Sequence, residues 1–79
     1  MQTVFVMVKA EMGRAYRVAE EAVDIEGVSE VHSISGQFDL MLTCHLDPGI
    51  DIGHFVTESI QRLPGVKDTF TLITFKAFS

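Results

Sequence analysis

The chain has 79 residues, a formal net charge of −5 and a hydrophobic content of 47%. That length holds one domain, residues 1–79, with a small core, and six scattered Lys and Arg against eleven acids exclude a phosphate-backbone binding surface. A single cysteine excludes an internal disulfide framework, and no stretch approaches the roughly 20 apolar residues needed to span a bilayer.

Thr3 to Ala10 is a β-branched and aromatic run, with Val4, Val6 and Val8 on one alternating set and Phe5 and Met7 on the other. A strand buried on both faces reads this way. After Gly13, residues Arg14 to Ile25 carry one apolar stripe (Ala15, Val18, Ala19, Ala22, Val23) opposite charged positions, as an amphipathic helix does, and Arg17 and Glu21 are spaced to pair across one turn. Gly27 is the expected helix stop. Val28 to Ser35 alternates loosely, as an edge strand. Phe38 to Leu46 alternates cleanly, with Phe38, Leu40, Leu42, Cys44 and Leu46 expected on one face. Between them, Ser35-Gly36-Gln37-Phe38-Asp39-Leu40 reads as a hairpin tip. After the turn at Asp47-Pro48-Gly49, Asp51 is placed as the N-cap of a second helix running to Leu63. Pro64-Gly65 ends it, and Val66 to Phe78 reads as a long last strand.

The order is β-α-β-β-α-β, and the two halves resemble each other: Gly27-Val28-Ser29-Glu30 matches Gly65-Val66-Lys67-Asp68 in type. Two split βαβ units with right-handed crossovers give an α+β, ferredoxin-like fold: a four-stranded antiparallel sheet, order 4-1-3-2, with both helices on one face. The bare face is apolar in three of the four strands. A copy of the same chain is the expected cover, giving a dimer of the α/β-barrel type.

Gly27-Val28-Ser29-Glu30-Val31-His32, the Gly36-x-x-Asp39 hairpin, Leu63-Pro64-Gly65-Val66 and Thr69-Phe70-Thr71 occur together in this order. In these features the chain resembles the effector-binding (RAM) domain of the Lrp/AsnC, or feast/famine, transcriptional regulators over nearly its whole length, without their helix-turn-helix domain. The resemblance implies amino-acid binding at junctions between dimers, near the Gly-x-x-Asp hairpin, and assembly of dimers into rings, commonly octamers. It implies effector contacts from Gly36, Gln37, Phe38, Asp39, Thr69 and Thr71. It also allows a full-length regulator of the family as a partner. No direct contact with nucleic acid is expected, so any effect on transcription is indirect.

The chemistry of these residues suits that role. A zwitterion needs an acceptor for its ammonium, which Asp39 can be, and donors for its carboxylate, which amides near Gly36 and the hydroxyls of Thr69 and Thr71 can be. Read alone, the same hairpin is equally a tight turn with a solvated aspartate, and the threonines are simply good strand formers. His32, His45 and His54 have no ligand spacing, Cys44 has no base beside it, and there is no phosphate-binding glycine loop. No metal, cofactor or catalytic residue is therefore expected. Two further functions remain open: a small cofactor-free enzyme on the dimeric α/β-barrel scaffold, and a ligand-independent assembly partner of a full-length regulator. A cytoplasmic location, with no membrane association, completes the expectation.

Overall fold

In the computed structural model, which describes residues Met1–Ser79, the N-terminal β-branched run becomes β1 (Gln2–Ala10). It is followed by α1 (Ala15–Ala22), β2 (Val28–Ser33), β3 (Leu40–Leu46), α2 (Ile52–Phe55) continuing as a π-helix over Val56–Ile60, and β4 (Val66–Ile73). The strands form one antiparallel sheet in the order β2-β3-β1-β4. This is the expected 4-1-3-2 order read from the other edge, and the fold is ferredoxin-like. No helix is long and apolar enough to cross a membrane.

Strand alternation decides what is inside. Val4, Val6 and Val8 of β1 pair with Cys44, Leu42 and Leu40 of β3, and all six are fully buried. Above them pack Val18 and Ala22 of α1 and Phe55, Val56 and Ile60 of the second helical segment. The thirteen buried residues are all hydrophobic. The other face of the sheet carries Phe5, Met7, Met41, Phe70 and Leu72 and has no helix over it, so Phe70 remains 54% and Leu72 46% exposed.

The helices are shorter than their patterns. α1 ends at Ala22 because Asp24 and Ile25 bond back only three residues, to Glu21 and Ala22, which tightens the chain into turns and leaves Val23 exposed rather than in the stripe. The expected Arg17–Glu21 pair does not form; both side chains are solvated, and the one ion pair is Arg62–Glu58 at 3.1 Å. Asp51 does cap the second helix, its Oδ1 accepting from the His54 N–H at 3.0 Å. That helix widens at once: Gln61 N–H bonds to Val56 O, five residues back, at 2.8 Å. Ile52, Gly53, Val56 and Thr57 are weak helix formers, so little enforces a regular α-ladder there.

The internal likeness of the two halves is structural. Gly27 and Gly65 both take positive φ, 101° and 95°. A Cβ at Gly27 would stand 2.9 Å from Leu46, and one at Gly65 3.1 Å from Val18. Their carbonyls accept from His45 N–H and Glu11 N–H respectively, both at 2.8 Å. Two residues further on, Ser29 and Lys67 are each the extra residue of a β-bulge. β4 pairs only to Ile73, opposite Val4, short of the expected Phe78, which this register would carry past the start of β1. Thr74 is still pinned to Thr3 O through its hydroxyl (2.6 Å), whereas Phe75 and Phe78 beyond it are 98% and 89% exposed.

Leu42 lies between Val6 and Val31 on adjacent strands. Leu42→Ala is expected to lower the unfolding free energy by about 2–5 kcal/mol, read from urea denaturation with an unchanged m-value. Burial pushes the Cys44 thiol up from 9.0 to about 11. The native chain therefore holds this proton more tightly than the unfolded chain, and stability falls as pH rises from 9.0 towards 11. Below that window the group contributes no pH dependence. The difference between wild-type and Cys44→Ala stability profiles should show this decline, and the native thiol should stay inert to thiol reagents at neutral pH.

Candidate functional site

The hairpin between β2 and β3 departs from a regular turn at one residue. Thr74 N–H donates to Thr3 O, so odd-numbered residues of β1 bond to β4 and even-numbered ones turn their N–H and C=O groups towards β3. Val8 pairs with Leu40. The next inward donor is Ala10 N–H, which a continued ladder would place opposite Phe38. Asp39 intervenes. Its own N–H closes on Val8 O at 2.8 Å, its C=O accepts from Ile34 N–H at 2.9 Å, and its Oδ2 accepts from Ala10 N–H at 2.8 Å. The carboxylate thus replaces a backbone carbonyl at the end of the ladder, and Asp39 forms a bend just before β3.

The alternation of β3 does not carry back through that bend. Phe38 does not share the buried face of Leu40 and Leu42, as its spacing predicts, but lies on the open face and stacks on Phe70 with ring centroids 6.2 Å apart. Beside it, Lys9 Nζ donates to Gln37 O at 3.1 Å. The N–H groups of residues 35–38 have no partner within the chain. Gly36, at φ 105°, leaves the loop tip open: a Cβ there would meet nothing within 4 Å. The tip is a short run of unpaired amide donors held to β1 at two points.

Thr69 and Thr71 lie elsewhere. They pair with Val8 and Val6, so their side chains share the helix face. With Ile52, Val56, Thr57, Gln61 and their neighbours they line an open groove of about 360 Å³ between the second helical segment and the free edge of β4. Thr69 Oγ1 accepts from Gln61 Nε2 at 2.8 Å; the Thr71 hydroxyl has no partner in the chain. Because even residues of β4 bond to β1, the N–H and C=O groups of Thr71 and Ile73 point off the sheet edge, while Thr69 N–H donates to Asp68 Oδ1 at 2.9 Å. No lining residue is charged. The groove can take an apolar side chain and hydrogen-bond a polar end.

One chain therefore does not bring the six expected residues together. Gly36, Gln37, Phe38 and Asp39 form one cluster at the sheet end, Thr69 and Thr71 another on the opposite face. Sequence reasoning missed Gln61, Ile52, Val56 and Lys9. The helical stripe marks Ile52 and Val56 as apolar, but their meeting with β4 is a tertiary fact. A larger hollow of about 510 Å³ near Gly27, Leu46 and Phe55 contains none of the expected residues. No three metal-ligating side chains gather anywhere. The thirteen side chains buried between sheet and helices are all hydrophobic.

The profile of the Lrp/AsnC ligand binding domain matches residues 3–79. An HTH-type transcriptional regulator of Pyrococcus abyssi is 33% identical over 76 residues, which is 92% of this chain and 51% of that protein. The chain thus spans about half the length of this regulator. A crystallised protein from Thermus thermophilus superposes with a TM-score of 0.92 at 32% identity, covering 100% of this chain and 99% of its own. A transcriptional regulator of Neisseria meningitidis, solved with L-methionine, shares the fold with a TM-score of 0.85 at 19% identity, over 99% of this chain and 52% of its own. Together, the profile match across nearly every residue and the 33% identity to a regulator place this chain in the Lrp/AsnC ligand-binding domain family.

Proposed function

We propose that this chain is a regulatory domain that binds an amino acid at junctions between its own subunits and modulates transcription indirectly, through the assemblies it forms. The observation that carries the proposal is the two-sided sheet. One face is sealed by helices; the other presents Phe5, Met7, Met41, Phe70 and Leu72 without cover. Apolar surface of this kind favours association, and an identical face on a second copy is self-complementary about a twofold axis. A dimer through these faces, and a ring of such dimers, brings the loop cluster of one subunit towards the groove of another.

In that junction the unpaired amides of the Gly36–Phe38 loop receive the effector carboxylate, and the β4 groove, with Thr69 and Thr71, receives its side chain. The groove's neutral, partly aliphatic lining favours an uncharged amino acid over a basic or acidic one. The Neisseria protein solved with L-methionine supports this choice of ligand class. A full-length HTH regulator of the family is a further partner into whose ring this domain could insert.

Light scattering with and without an amino-acid mixture tests assembly and sensing together. The wild type is expected to be a dimer or larger. Leu72→Lys, on the open face, should weaken self-association by about tenfold or more while leaving the monomer folded. Calorimetry should find millimolar or tighter binding of at least one uncharged amino acid. Thr71→Val should weaken that binding by about three- to tenfold, as the loss of one hydrogen bond does. A well-folded wild-type monomer, or silence towards every amino acid, would count against the proposal; silence combined with co-assembly with a regulator would instead leave an assembly partner.

A further inference from the structure

We infer that Asp39 is a positioning residue of the effector loop and not the acceptor of the effector's ammonium. The inference rests on the proposed junction site. Three of the four polar atoms of Asp39 are already committed within the chain: its N–H to Val8 O, its C=O to Ile34 N–H, and Oδ2 to Ala10 N–H, all between 2.8 and 2.9 Å. The residue is half-buried at the end of the β1–β3 ladder. Its carboxylate stands where a regular strand would have placed the Phe38 carbonyl.

The consequence is local and specific. By taking the Ala10 donor, the Asp39 side chain ends the ladder one residue early. Phe38 then turns to the open face, and the amides of residues 35–38 stay outside the sheet with no partner in the chain. Without that acceptor, Ala10 N–H is orphaned at a half-closed sheet end, and the loop backbone is the nearest group able to satisfy it. The loop would then swing towards β1, and its amides would lose the arrangement that faces a ligand. Lys9 holding Gln37 O at 3.1 Å is a second tether at the same end of β1. An amide side chain can do what Oδ2 does here, because the interaction needs an acceptor and no charge.

Asp39→Asn and Asp39→Ala separate the two roles. For each, amide exchange of Ala10 and of residues 36–38 is followed by NMR, and binding of L-methionine and L-leucine is measured by calorimetry on the full chain. Positioning predicts that Asn keeps Ala10 protected and the dissociation constant within about threefold, whereas Ala speeds Ala10 exchange and weakens binding, each by about tenfold. Circular dichroism confirms that both variants remain folded. If Asn loses binding as fully as Ala while Ala10 stays protected, the carboxylate charge contacts the ligand and the inference is overturned. It is equally overturned if Ala leaves Ala10 exchange unchanged. If the wild type binds neither amino acid, the ligand assignment fails instead, and the Ala10 and loop exchange rates alone decide whether Asp39 holds the loop.

Discussion

The structure depends on a mismatch between strands that are apolar on both sides and helices that cover only one. β1 places Val4, Val6 and Val8 against the helices and Phe5 and Met7 against nothing. With one buried face, strand register is fixed, since a slip of one residue would expose the valines and bury Lys9. That same alternation sends an equally apolar set outwards. None of these 79 residues forms a third layer over it. The core makes the domain fold, and the leftover surface makes a second copy the simplest source of further burial.

Bulges do the remaining shaping. Ser29 and Lys67, two residues after paired glycines, are matching irregularities in the two halves. Each lies where a strand leaves its helix connection and must bend into the sheet. The irregularity at Asp39 has no counterpart. It is fixed by a side chain rather than by a glycine, and it changes which way Phe38 faces. A side-chain acceptor at the end of a ladder is a local interaction that ends the β1–β3 pairing while the β2–β3 register continues through Ile34 and Asp39.

The parts of the fold governed by period are legible in the sequence. β1, β3 and β4 as far as Ile73 follow from alternation, and the sheet order follows from the split βαβ pattern and crossover handedness. What period cannot reveal is misread or missed. Parity assigns Phe38 to the face of Leu40, because nothing in the residues themselves announces the bend at Asp39. The second helix is expected to run regularly from Asp51 to Leu63, yet its ladder switches to π geometry at Val56. Phe75 continues the alternation of β4, yet pairing stops at Ile73, opposite Val4. The Gly36-x-x-Asp39 motif points to the loop whose amides are left open. The role of its aspartate becomes readable only once Ala10, 29 residues away, is seen to be its partner.

The same geometry is the reason the proposed ligand site is placed between chains. The loop amides lie by the open face, beside Phe38 and Phe70, and the threonine groove opens on the helix side at the β4 edge. A strand cannot present consecutive residues to the same side, so Thr69 and Phe70 belong to different worlds: one faces the groove, the other the stack with Phe38. No rearrangement of a single subunit short of breaking the sheet unites them. In the proposed assembly a second subunit does so, by bringing its own loop to the first one's edge. In the proposed assembly, recognition of a metabolite and recognition of another copy are then one equilibrium: whatever fills the junction must also bias how the subunits associate, by as much as its affinity differs between the two arrangements.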